Sequence, residues 1–203
     1  MDSLGAIYIA YGENAQREAM MSINTLRAHH PTLPVAVIGD PVRGADQHIP
    51  FEQIDSGGRW AKVNLDLLTP FDFTLYLDAD TRIRGDLSAG FDLLRDGWEL
   101  CIAPSLMQDN GAFWHVDAAE REATFDDVGY VPVQWQGGVF FFRRCTAAAE
   151  LFDVWRQEWQ RWRGQDQAAL ARALALHPVR LWALGRAYNG GELVSHLFGK
   201  AKR

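Results

Sequence analysis

The chain has 203 residues, 48% apolar and 23% charged, which is enough material for the core of one domain. Its formal net charge of -6 argues against a nucleic-acid partner, which calls for a basic face. Two cysteines, Cys101 and Cys145, exclude a disulfide framework, and no apolar run approaches the roughly 20 residues of a membrane span.

Residues 6–10 are a short apolar run, read as a central strand buried on both faces. Tyr11, Gly12, Glu13 and Asn14 follow as a loop. Residues 15–29 then read as a helix, with Ala19, Met20, Ile23 and Leu26 at helical spacing and Pro31 as its stop. A second buried strand at 34–38 closes at Gly39, Asp40 and Pro41. Strand, helix and strand in this order predict a parallel α/β sheet whose ligands bind beyond the carboxyl ends of the strands. Residues 43–58 look irregular, and 59–68 read as a helix. Its Arg59 and Lys62, three apart, read as a solvated cationic side.

Residues 73–77 are a β-forming run that ends abruptly in Asp78, Ala79, Asp80 and Thr81. On an extended backbone, residues two apart point the same way, so both carboxylates are expected to converge. At about 4 Å, two such charges repel by roughly 4 kcal/mol at an effective dielectric near 20, and a hard divalent cation would relieve this. Spacing alone leaves a second reading open, an ordinary strand-to-loop exit.

Beyond a turn at 84–86, a short helix is expected at 91–95 and an apolar strand at 98–103. The polar insertion 104–132, with a helix at 116–125, is where acceptor recognition is expected. Gln136, Gly137 and Gly138 enter another buried strand. The glycines would serve either a close approach to a ligand or a bulge. Residues 147–163 form an amphipathic helix whose Leu151, Phe152, Trp155, Trp159 and Trp162 read as a core-facing stripe rather than a membrane-surface face. Gly164 suits a helix stop and Asp166 a cap for the helix 168–176, while 179–184 read as an edge strand. We expect one domain over 1–203, without a signal peptide, in the cytoplasm with its thiols buried and reduced.

Taken in order, these elements resemble glycosyltransferase family 8, the group of glycogenin and the bacterial lipopolysaccharide galactosyltransferases. The segment Leu75 to Thr81 matches that family's Asp-x-Asp motif with its apolar lead-in. Asp166-Gln167 matches its Asp-Gln pair, and His196, Gly199 and Lys202 match its His-x-x-Gly-x-x-Lys element. Gln136-Gly137-Gly138 stands where the family has Asn-x-Gly. The resemblance implies a GT-A (Rossmann-like) α/β fold with a central, mostly parallel mixed sheet flanked by helices.

It further implies a hexosyltransferase acting with retention, moving a sugar from a UDP-linked or other nucleoside-diphosphate donor to a saccharide or protein acceptor. Asp78, Asp80 and His196 would hold Mn²⁺ or Mg²⁺, and Gly199 and Lys202 would contact the diphosphate. Tyr11, with Ala10 beside it, would stack on the nucleobase. Arg59, Lys62, Ala79, Gln136, Gly137 and Gly138 would complete the donor site. Asp166 and Gln167 are the expected catalytic pair, with 191–203 closing the site. Two alternatives stand beside this one: a sugar-phosphate nucleotidyltransferase, for which the acidic loop 11–14 is poorly suited, and a non-catalytic nucleotide-sugar sensor.

Overall fold

The computed structural model describes residues 2–55, 57–108 and 112–197. Strands β1 (Leu4–Ala10), β2 (Val35–Gly39), β3 (Gln47–Ile49), β4 (Phe73–Leu77), β6 (Leu100–Pro104), β7 (Trp135–Arg143) and β8 (Leu181–Ala183) form one sheet in the order β3-β2-β1-β4-β7-β6-β8. Within it β7 pairs antiparallel with both of its neighbours, and the remaining pairings are parallel. β5 (Thr81–Ile83) and β9 (Val194–His196) form a separate two-stranded ribbon.

The apolar runs are continuous because both faces of the sheet are covered. Ala6, Tyr8 and Ala10 alternate toward the core shared with helix α1 (Gly12–His29) and α4 (Ser88–Arg95). Ile7 belongs to the opposite core, with α6 (Thr146–Trp162) and α7 (Asp166–Leu176). Leu151, Phe152, Trp155 and Trp159 of the expected stripe on α6 lie there, with Trp155 against Phe140, Phe152 against Phe142 and Trp159 against Trp60, while Trp162 is outside this cluster. Truncating one such aromatic to alanine costs about 3–5 kcal/mol.

Several expectations are corrected. Helix α1 starts directly after Tyr11, because Asp40 at the end of β2 accepts a 2.6 Å bond from the Gly12 N–H. The helix expected over 59–68 is split into α2 (Arg59–Lys62) and α3 (Leu65–Leu68). The Asp55 carboxylate caps α2 by accepting from the Arg59 and Trp60 amides at 3.0 Å each. Cys101 is buried, and this drives its thiol up to about 12, whereas Cys145 is only half-buried. In the insertion the helix is α5 (Ala118–Val128), displaced toward the carboxyl side of the expected span. Arg172 of α7, 1% exposed, ties it down through Glu120, Thr124 and Glu158.

The chain reverses direction across the sheet at β1, with β2 on one side and β4 on the other. The crevice at that switch point opens at the carboxyl ends of β1 and β4. Tyr11 and Asp78 are the residues that follow those two ends.

Candidate active site

Asp78 and Asp80 do not sit on extended backbone as the spacing argument supposed. The strand ends at Leu77, and Asp78 to Thr81 form a turn closed by a 3.1 Å bond from the Thr81 N–H to the Asp78 carbonyl. The turn is anchored from below. Thr81 Oγ1 donates to the Asp78 carbonyl, so the neighbouring Ser22 hydroxyl must donate to Thr81, and Tyr8 OH to Ser22. This buried relay satisfies every hydroxyl in it and fixes the turn on β1 and α1.

His196 reaches the turn through the ribbon, where it is the register partner of Thr81. Its Nε2 lies 3.0 Å from Asp80 Oδ1 and 3.6 Å from Asp78 Oδ2. Nδ1 is 3.1 Å from Asn189 Oδ1. An amide oxygen only accepts, so Nδ1 donates to it and Nε2 is the ring nitrogen turned toward the two carboxylates. One ligand atom from each of Asp78, Asp80 and His196 lies within 4.8 Å of the others. Two carboxylates and an imidazole held this way are a donor set suited to a divalent cation such as Mn²⁺ or Mg²⁺.

Lys62 is not on a solvated face. It is buried, with Nζ 3.2 Å from Asp78 Oδ1 and 3.2 Å from Asp166 Oδ2, over the Tyr76 ring. Burial alone would lower its pKa, but Asp166 and Asp78 outweigh that and hold it above the ordinary lysine value. Tyr76 OH donates to Asp78 Oδ1 at 2.5 Å, and burial together with that carboxylate pushes its phenol well above the usual range. Asp166 does not cap α7. It is the first helical residue, and its carboxylate faces Lys62 and, at 3.8 Å, Arg59.

The two glycines of β7 make room for protein groups. A Cβ on Gly138 would lie 2.2 Å from His196 Cε1, and one on Gly137 would lie 2.9 Å from Asp166 Oδ2. Gln167 is held by three neighbours. Its Nε2 donates to the Trp135 carbonyl and to Gln136 Oε1, and its Oε1 accepts from Gln134 Nε2.

These groups line one cleft of about 1080 Å³, which includes Arg59, Lys62, Asp78, Ala79, Asp80, Gln136, Gly137, Gly138, Asp166, Gln167 and His196. Two expected residues lie elsewhere. Tyr11 lines a smaller neighbouring pocket of about 490 Å³ with Gly39, Asp40 and Phe51, and its hydroxyl donates to the Phe51 carbonyl. Partial burial, with Asp55 and Asp40 nearby, pushes the Tyr11 phenol up to about 12. Ala10 is wholly buried beneath the site, its carbonyl accepting from the Asp40 N–H. Gly199 and Lys202 lie outside the described residues. Sequence reasoning missed Asn189, Gln134 and Glu18, the last of these paired with Arg82 at 2.5 Å. None of the three belongs to a local pattern that marks it.

A parallel sheet with one reversed strand beside β4, and an Asp-x-Asp turn at its switch point, has the GT-A arrangement. No protein-family model matches this chain, and no curated protein matches it. Among solved structures, the fold is similar to that of galactosyltransferase LgtC in complex with donor and acceptor sugar analogues. The TM-score is 0.63 at 17% identity, covering 91% of this chain and 74% of that one. It is also similar to glycosyltransferase GlyE of Streptococcus pneumoniae TIGR4 (TM-score 0.60, 17% identity, 92% and 46% covered). Mouse xyloside xylosyltransferase 1 is a third (TM-score 0.60, 12% identity, 92% and 87% covered). This likeness defines the fold as that of GT-A glycosyltransferases.

Proposed function

We propose that the chain is a metal-dependent glycosyltransferase of the family 8 type, transferring a hexose with retention from a UDP-linked sugar to a saccharide-bearing acceptor. The observation that carries this reading is the convergence of Asp78, Asp80 and His196 at the switch point of a GT-A sheet. The fold is shared with structures described as glycosyltransferases, one of them solved with donor and acceptor analogues. The free Cys101 and Cys145 are consistent with a reducing compartment such as the cytoplasm, and among the described residues no helix is long and apolar enough to cross a membrane.

In this reading Asp78, Asp80 and His196 hold Mn²⁺ or Mg²⁺. Bound there, the ion would supply Lewis-acid stabilisation for negative charge on the leaving diphosphate. Asn189 accepts from His196 Nδ1 and so orients the ring with Nε2 toward Asp78 and Asp80. Lys62 bridges Asp78 and Asp166, lying 3.2 Å from a carboxylate oxygen of each and offsetting their mutual repulsion. Asp166 and Gln167 orient the donor sugar and stabilise positive charge developing at its anomeric carbon. The acceptor hydroxyl attacks from the side the diphosphate leaves, and its proton passes to the departing phosphate oxygen.

The test is incubation with a panel of UDP-sugars and Mn²⁺, followed by measurement of UDP release and transfer. Metal-dependent UDP binding without turnover of any donor would refute transfer and favour the sensor. Full activity in excess chelator would remove the metal from the mechanism.

A further inference from the structure

Trp114 is 67% exposed and lines the same cleft as Asp78 and Asp80, beside the exposed Leu106 and Met107. A single exposed indole needs no explanation. This one is held in place by strained backbone. Phe113, immediately before it, has φ +55°, a left-handed conformation that costs a bulky L-residue roughly 1–2 kcal/mol.

The surroundings hold Phe113 there. Its side chain is buried with Ala112, Val116, Ala168 and Ala171, and its N–H donates to Gln134 Oε1 at 2.6 Å. Gln134 Nε2 in turn donates to Gln167. The turn carrying Trp114 is therefore fixed to α7, the helix that presents Asp166 and Gln167. His115 meets the indole edge-on, with ring centroids 5.6 Å apart. A residue mounted on the same helix as the proposed catalytic pair, at the cost of backbone strain, is placed relative to the reacting centre.

The chemistry of the cleft narrows what the indole meets. Its charged end suits a diphosphate and a cation. Its rim joins the flat apolar face of Trp114 to the half-buried side chains of Gln136 and Gln167, all lining one cavity. A pyranose ring has complementary surfaces: a face of C–H groups for the indole and hydroxyls at its edge for amides. An alkyl chain would cover the indole but offer no hydrogen bond to the half-buried Gln136 amide at the rim, whereas Gln134 and Gln167 are bonded to protein partners whatever binds.

We propose that Trp114 is an acceptor platform, stacking the C–H face of a pyranose ring of a saccharide acceptor beside the donor sugar. This rests on the glycosyltransferase reading and adds the residue that selects the acceptor. The experiment is saturation-transfer NMR on the full chain with UDP and Mn²⁺. The probes are the methyl β-glycosides of galactose, glucose and xylose, together with octyl β-glucoside.

Ring C–H protons of at least one methyl glycoside should be saturated. Trp114→Ala should weaken that binding about tenfold or more, while Trp114→Phe loses less. Both variants should keep the wild-type melting temperature and its rise with UDP and Mn²⁺, since the Trp114 side chain is exposed and belongs to none of the buried clusters. Absence of ring saturation from every methyl glycoside, equal binding by Trp114→Ala, or saturation confined to the octyl chain would each overturn the platform. Failure of UDP and Mn²⁺ to raise the wild-type melting temperature would overturn the glycosyltransferase reading, whatever the saccharide titration gives.

Discussion

Asn189 accepts a hydrogen bond from His196 Nδ1, and this contact, buried on both sides, decides which imidazole nitrogen faces Asp78 and Asp80. If the cluster binds a divalent cation, Asn189→Ala should weaken Mn²⁺ binding by about 10–100-fold, the usual loss when an outer-shell partner is removed. Asn189→Asp keeps an acceptor at the same place and should retain most of the affinity. Calorimetric titration with Mn²⁺ tests both variants, and equal losses would mean that Asn189 acts only through packing.

The sequence reveals the long buried strands far better than the residues that complete the site. β1, β2, β4, β6 and β7 are legible because burial on both faces demands continuous apolar runs. β5 and β9 carry no such signal. Each has three residues, and their pairing joins Thr81 to His196 across most of the chain. Lys62 looks solvated in sequence because its carboxylate partners, Asp78 and Asp166, come from β4's end and α7. Asp166 looks like a cap for the same reason. The aspartate pair was found by spacing, yet a turn, not an extended strand, makes it converge.

Asp78→Asn and Asp80→Asn should each abolish transfer and remove the Mn²⁺-dependent rise in melting temperature. The fold should survive, since both side chains lie at the cleft surface and not in either core. UDP release with each donor, beside far-UV circular dichroism, separates loss of chemistry from loss of structure. Wild-type turnover by the double variant would remove the pair from the reaction.

Lys62→Met removes the cation between two carboxylates in a buried setting. Breaking a buried ion pair costs about 3–5 kcal/mol, and Arg59 beside Asp166 and Tyr76 beside Asp78 should hold the loss at the low end, measurable by urea denaturation in chelator. A divalent cation at Asp78, Asp80 and His196 would take over part of the compensation. Mn²⁺ should therefore raise the melting temperature of Lys62→Met by more than it raises that of the wild type. An equal rise would place the ion away from Asp78.

The ion cluster around Arg172 locks the insertion to the domain. Arg172→Met strands Glu120 and should cost about 3–5 kcal/mol, or roughly 6–20 °C in a chain of this size. Burial outweighs Arg172 and holds the Glu120 carboxyl above its ordinary 4.5. A carboxyl with a raised folded-state pKa contributes stability that is fully present below its unfolded value and lost as pH rises through the folded one. Glu120→Gln lacks that titration. The stability of wild type relative to Glu120→Gln should thus fall as pH is raised from about 4.5 toward neutrality, read from urea midpoints at each pH.

Gly137 and Gly138 are adjacent in β7 and separate the two halves of the proposed machinery. A methyl group on Gly138 would lie 2.2 Å from His196 Cε1 and 2.8 Å from Asp78 Oδ2, so the imidazole has to leave its place. Gly138→Ala should abolish Mn²⁺ binding and destabilise the fold by about 1–3 kcal/mol, the usual cost of overpacking. On Gly137 the methyl meets the end of the Asp166 carboxylate at 2.9 Å and, among the described residues, reaches none of the metal-binding side chains within 4 Å. Gly137→Ala should therefore keep Mn²⁺ affinity while lowering turnover, because Asp166 is displaced from Lys62. Mn²⁺ titration and UDP release on the two variants give opposite patterns if the metal and the sugar-orienting carboxylate are separate functions. If both variants lose Mn²⁺ binding together, Asp166 belongs to the metal site and its assignment to the sugar fails.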